Sequence, residues 1–256
     1  MVKVICKGGL GNQLFQIAFG ANQALRQEKP LTLLISESTM IHGGFLGMKF
    51  AEALSEHLPV SHQSLGRVSH VFFESSDREL MQIPEGDYCF DGYWQGRGYH
   101  EEYSSLIYNS FNSVLEKSCA NLNMDFCVIF RRLGDYLVPE NRLKHGVLAE
   151  SYFEAAKKHI GMDKKFVWST DSPDLLSNDE LLIDSFYESL NDPIEVMAAL
   201  SGFSSIITSD SSFSWWSAVL RREKKVVQPS SWLRESSPLD QRMEIVNSII
   251  VKAEFI

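Results

Sequence analysis

The residues best placed to do chemistry gather behind one apolar run. Phe126 to Phe130 ends abruptly in Arg131 and Arg132, and Gly134, Asp135 and Tyr136 follow beyond Leu133. This is the pattern of a buried strand delivering polar side chains onto the loop at its carboxyl end, where open α/β sheets bind ligands. Arginine suits an anionic ligand there, because the guanidinium stays charged and its fork matches phosphate or carboxylate oxygens in pairs. The competing account of the stretch is a plain ion pair between Asp135 and one of the arginines.

Three other stretches carry polar groups to comparable places. Ser209-Asp210-Ser211-Ser212-Phe213-Ser214-Trp215-Trp216 runs from a strand into a helix. Its hydroxyls, free backbone N–H groups and helix dipole make an anion cradle, with Phe213 available to stack on a base or sugar; a serine cap over a tryptophan-rich core helix is the alternative. Trp168-Ser169-Thr170-Asp171 ends in a carboxylate that either holds a hydroxyl or caps a helix near Pro173. The turn at Gly8, Gly9 and Gly11, followed by Asn12 and Gln13, lets a ligand approach backbone N–H groups at a helix start, or is simply a tight turn. Asp91-Gly92-Tyr93-Trp94-Gln95 sets aromatic rings beside a carboxylate and an amide, the combination that sugar binding asks for. A buried aromatic turn competes with that reading.

The elements that must position these groups follow a strand–helix rhythm. Met1 to Cys6 reads as a strand, Lys7 to Asn12 turns it into a helix with Leu14, Ile17, Ala18, Ala21 and Leu25 on one face, and Leu31 to Ile35 is the next strand, the opening of a parallel sheet. Residues 36–85 have no clear pattern beyond a short helix near Lys49 to His57. A helix from His100 to about Leu115 precedes a boundary near Ser118 to Met124. In the second half, Ser151 to Glu154 has the form of a capping box opening a helix that stops at Gly161. Lys165–Ser169, Leu181–Tyr187, Ser204–Thr208 and Lys225–Gln228 read as strands, with helices from Asp192 to Gly202 and Phe213 to Arg222 between them. The expected architecture is α/β, two Rossmann-like domains facing a cleft, divided as 1–120 and 121–256.

Composition narrows the function. With 256 residues, 44% hydrophobic, and a formal charge of −9, the chain has room for a real core and no basic block for nucleic acid. Arg221, Arg222, Lys224 and Lys225 form a local basic cluster that reads as a solvated helix end, with peripheral contact to anionic lipid the other reading. The cysteines at 6, 89, 119 and 127 have no paired spacing, and the seven histidines show no metal pattern and read mostly as solvated. Without a signal peptide or a long apolar run, a cytosolic chain with reduced thiols is expected, and Cys6 and Cys127 read as packed hydrophobes. A dinucleotide-binding oxidoreductase is a second reading, from Gly9-Leu10-Gly11 with Glu37 as ribose partner, although Leu14 stands where the third glycine belongs. A noncatalytic glycan-binding module is a third.

Five stretches in order, GGLGNQLFQIAFG, FDGYWQ, RLGDY, WSTDSPD and PIEVMAALSGFSSIITSDSSFSWWSAVL, resemble glycosyltransferase family 11, the α-1,2-fucosyltransferases. The resemblance implies two Rossmann-like domains of the GT-B type and a metal-independent, inverting transfer of L-fucose from GDP-fucose to the 2-hydroxyl of a β-galactoside, with no other cofactor. It puts the diphosphate-binding arginine at Arg132. Phe130 stands where the family usually has histidine, Leu133 where a second arginine is common, and Asp210 where asparagine is usual. The residues expected at the donor are Gly9, Gly11, Asn12, Gln13, Arg132, Asp171, Asp210, Ser211, Ser212 and Phe213. Asp91, Tyr93, Trp94 and Gln95 are expected at the acceptor, with the first domain on the acceptor side. Asp135 and then Asp171 are the candidates for taking the acceptor's proton.

Overall fold

The computed structural model describes residues 1–76, 79–118, 126–176, 182–183, 192–221 and 223–256, with the side chains of 41 and 42 outside the description. The chain divides into two compact units, Met1–Lys117 and Ser118–Ile256. Each is α/β and contains a five-stranded sheet whose pairings are all parallel. The expected fold class is borne out at that level.

In the first unit, β1 (Val2–Cys6) leads through Gly9 into α1 (Leu10–Arg26), followed by β2 (Leu31–Ile35), α2 (Met48–Leu54), β3 (Val60–Ser64), β4 (Val71–Phe73), β5 (Cys89–Asp91) and α3 (Ser104–Ser118). Val2, Val4 and Cys6 are fully buried, and so is Ile5 on the other face to within a few per cent; a parallel strand covered on both sides demands such a run. The helix α1 buries Leu14, Phe15, Ile17, Ala18 and Phe19 completely. A Cβ at Gly20 would come within 2.8 Å of Leu31 and 2.9 Å of Val4, so the helix lies on the sheet closer than any side chain permits. The order β3-β2-β1-β5-β4 places β1 centrally, with the chain reversing direction across the sheet between β1 and β5. The short helix starts one residue before the expected Lys49 and ends three before His57, and α3 begins four residues after His100.

His100 departs from the solvated role expected of it. It is fully buried, with a ring nitrogen 3.0 Å from the Tyr108 hydroxyl. Burial first, and the charge of Arg97 second, lower its pKa to about 3. The folded chain therefore keeps the ring neutral where the unfolded chain, titrating near 6.5, takes up a proton. Stability from this group is complete above about pH 6.5 and drains away as the pH falls toward 3. Between pH 7 and 5 the loss is about 2 kcal/mol. Urea unfolding at the two pH values is expected to show that loss in the wild type and a smaller one in His100→Gln; equal losses would show that the ring titrates alike in both states.

The second unit contains β6 (Phe126–Arg131), α4 (Pro139–Lys144), α5 (Glu150–Ile160), β7 (Lys165–Thr170), α6 (Pro193–Gly202), β8 (Ser205–Ile207), α7 (Ser212–Val219), β9 (Lys225–Pro229), α8 (Pro238–Arg242) and β10 (Ile249–Val251). Its strand order is β10-β9-β8-β6-β7, so the chain reverses across the sheet between β6 and β8. Cys127, Ile129, Tyr152, Phe153, Ile207 and Val227 share one core cluster. Cys6 and Cys127 are buried free thiols, as their apolar surroundings predict, and so is Cys89.

Several local expectations change here. The capping box at Ser151 does not form: α5 begins at Glu150 after Ala149, and the Ser151 hydroxyl donates to Glu254 at 2.7 Å. The helix instead ends on Gly161, as expected, with φ +123°. By contrast Asp192 caps α6, accepting from the Ile194 N–H, with Pro193 at the first helical position. The helix expected to run to Arg222 stops at Val219. The Lys224 ammonium donates to the carbonyls of Ser201, Ser217 and Leu220, and Lys225 to those of His159 and Ile160. These lysines close helix carboxyl ends, the solvated-end reading with specific partners. Arg222 and the boundary residues after Ser118 lie outside the described residues. So does most of Leu181–Tyr187, though Leu182 makes a parallel bridge to Trp168. No described helix is long and apolar enough to cross a membrane.

Candidate active site

In each unit most of the singled-out residues fall at the carboxyl ends of the two strands that flank the sheet's reversal, the place where such sheets open a crevice for ligands, and Asp171 follows the neighbouring edge strand β7. In the second unit those ends are Arg131 to Tyr136 after β6 and Thr208 to Ser212 after β8.

Arg132 is bridged by two carboxylates. One terminal nitrogen lies 2.6 Å from Asp135 and the other 2.7 Å from Asp171. Both readings of Asp135 are thus met in one geometry, an ion pair placed where a ligand would bind. Asp171 does not cap a helix at Pro173; its second oxygen accepts the Leu133 N–H at 2.9 Å, and the turn at Pro173–Leu175 begins after Ser172. The Ser172 hydroxyl accepts the Gly134 N–H at 3.2 Å. Burial works against the charge of Arg132, and Asp171 and Asp135 more than restore it, so its pKa is raised. Arg131 is excluded from this group: it pairs with Glu150 at 3.1 Å and lies over the rings of Phe153 and Trp168.

The two loops are joined by Tyr136. Its ring faces the Arg132 guanidinium at 5.5 Å, stacks on His145 at 4.6 Å, and its hydroxyl donates to the Asp210 carbonyl at 2.9 Å. Burial, then the neighbouring Asp210, raise the pKa of that hydroxyl far above its usual range. Neither Tyr136 nor Ser172 was singled out for a role; the signal for the tyrosine was its place in RLGDY, one turn past the arginine. Ser211 precedes α7 without a side-chain cap, so the first N–H groups of the helix are free of it, while Ser214 turns its hydroxyl back onto Ser209 and Ser211 carbonyls. Phe213 packs beside Phe130 at 5.5 Å, half-buried.

Gly134 makes the arrangement sterically possible. A Cβ there would sit 2.3 Å from a carboxylate oxygen of Asp171. Gly134→Ala is therefore expected to push Asp171 off Arg132 and to lower turnover by at least tenfold, with donor KM rising, at a stability cost of only about 1 kcal/mol. Unchanged steady-state constants would show that the Arg132–Asp171 contact is dispensable.

In the first unit the ends of β1 and β5 bring Lys7 onto Asp91 at 2.5 Å, and Lys7 also lies over the Tyr93 ring at 5.3 Å. Gln95 donates to Asn12 at 2.9 Å. Tyr93 is 43% exposed. Gly8 takes φ +76°, and Gly9 has open space where a Cβ would go. Three expectations fail here. Gln13 is fully buried and its amide is consumed by the Gly8 and Gly44 carbonyls and the Gly47 N–H, so it braces loops rather than meeting a donor. Gly11 is likewise buried inside α1. Trp94 is not an acceptor platform: it is 0% exposed and stacks on Phe19 at 4.1 Å and 7°. Glu74, unanticipated, accepts both the Tyr93 and Trp94 N–H groups at 2.7 and 2.9 Å and fixes the turn. The dinucleotide reading gains nothing: Leu14 is fully buried core, and Glu37 opens a 3-10 turn at Glu37–His42.

No family model matches the chain. An α-1,2-colitosyltransferase from Escherichia coli is 24% identical over 269 residues, spanning 88% of this chain and 90% of that protein. Among solved structures, fucosyltransferase NodZ from Bradyrhizobium superposes with TM-score 0.46 at 13% identity, over 86% of this chain and 92% of that one. A family 9 glycosyltransferase from Veillonella parvula gives 0.39 at 12%, over 98% and 85%. The near full-length sequence match agrees with the resemblance read from the five motifs. The chain is a two-unit α/β protein that is similar over nearly its whole length to that colitosyltransferase.

Proposed function

We propose that the chain is an inverting glycosyltransferase that moves L-fucose, or a close deoxy analogue, from a GDP-sugar to the 2-hydroxyl of a β-galactoside. The observation that carries the reading is the convergence of Arg132, its two carboxylates and the start of α7 at one sheet reversal. Cleaving a sugar–phosphate bond builds negative charge on the departing diphosphate, and a preorganised guanidinium with backbone N–H groups stabilises it without reorganising at the moment of reaction. In this scheme Arg132 and the N–H groups near Ser211 and Ser212 take the diphosphate, with no divalent ion needed.

A nucleotide arriving at Arg132 competes with Asp135 and Asp171 for the same donors. Displacing one carboxylate frees it to accept the proton of the attacking hydroxyl. Asp135, the more exposed of the two and the one without a backbone N–H to hold it, is the group to be displaced. In the first unit Asp91, Tyr93 and Gln95, with Asn12, are the groups offered to an acceptor. The colitosyltransferase relative widens the donor question, since colitose is fucose without its 3-hydroxyl.

The test is transfer in excess chelator from GDP-fucose, GDP-colitose and GDP-mannose to a panel of galactosides, with product linkage and anomeric configuration determined by NMR. The expected product carries an α-linked L-sugar on O2 of galactose. Release of GDP without a glycoside product from any pair, or activity that chelator abolishes, would overturn the reading.

A further inference from the structure

Among the described residues of the second unit, Asp210 stands out as a buried acid with an unpartnered oxygen. Its side chain sits at the carboxyl end of β8 beside the start of α7, only 3% exposed, and one carboxyl oxygen, Oδ2, is buried without a hydrogen-bond partner. The adjacent Ser209 hydroxyl is also buried, at 1% exposure, and without a partner. An unpartnered carboxyl oxygen and an unpartnered hydroxyl on consecutive residues, each side chain more than nine-tenths buried just past β8, ask for something polar to meet.

Among the described residues, Asp210 has no cation to itself. The groups facing it are Arg132 and Tyr136 from the loop after β6, Tyr152 from α5, and, through Arg132, Asp135 and Asp171; His145 stacks behind Tyr136. Arg132 carries one positive charge already shared by two carboxylates. The Tyr136 and Tyr152 hydroxyls donate to backbone carbonyls, of Asp210 and Thr208, and so give the carboxyl nothing. An ionised carboxylate in such a setting lacks solvent and shares its nearest cation with two other carboxylates, and it would also repel an incoming diphosphate.

We propose that Asp210 stands in the site as a neutral carboxylic acid and donates its proton as a hydrogen bond to an anionic oxygen of the donor's diphosphate, making donor binding depend on pH through this one residue. The inference rests on the reading of the site as a GDP-sugar site. Burial, opposed only by its own backbone N–H and by Arg132, drives the pKa of Asp210 well above the carboxylate range, in keeping with the geometry. As the pH rises through that raised value the proton is lost, a hydrogen-bond donor becomes a like charge, and the diphosphate is expelled. The device matches a carboxylic acid kept protonated by an apolar surround so that it can donate.

The experiment measures GDP affinity calorimetrically from about pH 7.5 upward, past the ionisation of a terminal phosphate near 6, for wild type and Asp210→Asn, whose amide also donates but does not titrate. Wild-type affinity is expected to fall by up to about tenfold per pH unit once Asp210 ionises, while the Asn variant stays flat and close to the wild-type low-pH value. Parallel pH profiles, or wild-type binding that tightens as pH rises, would overturn the proposal. Infrared difference spectra between the two proteins give a readout that needs no ligand: a protonated carboxyl C=O stretch present at pH 7 in wild type only. Its absence shows an ionised Asp210 and ends the proposal whatever GDP does. A protonated Asp210 with no GDP affinity at any pH would instead overturn the GDP-sugar reading, and with it the ligand named for the proton.

Discussion

Arg132→Ala is expected to lower transfer by about two to three powers of ten, the usual loss when one preorganised donor to a developing oxyanion is removed. Most of the loss should fall on kcat, because in the proposed transfer the charge that Arg132 would meet grows as the sugar departs. The fold should survive: Arg132 is half-buried, and partly solvated ion pairs contribute about 0–1 kcal/mol. Asp171 would keep its Leu133 N–H, so the turn retains one tie. Arg132→Lys separates charge from geometry. A lysine ammonium keeps the charge but not the fork that spans Asp135 and Asp171, and it should recover only a small part of the rate. Circular dichroism and a thermal melt check the fold while steady-state kinetics check the chemistry. Near-normal turnover in the Ala variant would remove the guanidinium from the mechanism.

Much of this site was legible because its signals are local. An apolar run ending in two arginines identifies the end of a strand whatever surrounds it, and helix starts such as Asp192-Pro193 are written in adjacent residues. Which arginine turns inward was not written there. Arg131 is drawn to Glu150 and the Phe153 and Trp168 rings, partners far along the chain, and only the fold decides that Arg132 meets Asp171. The edge strand β3 was missed for a related reason: Ser61 to Ser64 are all exposed, so the alternation that betrays a strand is absent. Ser151 failed as a cap because Glu254, a hundred residues later, offers its hydroxyl a charged acceptor. Local competition was legible in the sequence; competition from distant residues was not.

Trp94 is where that difference has its largest consequence. An aromatic next to Asp91, Tyr93 and Gln95 suits a sugar face, yet the backbone at Trp94 takes φ +51° and turns the indole inward, against Phe19 and within 6.0 Å of Phe90 and 5.4 Å of Tyr99. A left-handed bulky residue is costly, and Glu74, by accepting its N–H, helps hold it. Trp94→Ala is accordingly expected to destabilise the first unit by about 3–5 kcal/mol, the range for emptying a large aromatic from a core, and to lower its melting temperature by about 10 °C or more. Tyr93→Ala should do the opposite. Its exposed ring contributes within about 0.5 kcal/mol to stability, and its loss should raise the galactoside KM while leaving GDP affinity alone, if the end of β5 meets the acceptor. Scanning calorimetry and acceptor kinetics on the two variants separate the roles. A Trp94→Ala protein that melts like wild type but binds galactoside poorly would return the indole to the acceptor site, because a core tryptophan cannot be removed without a stability loss.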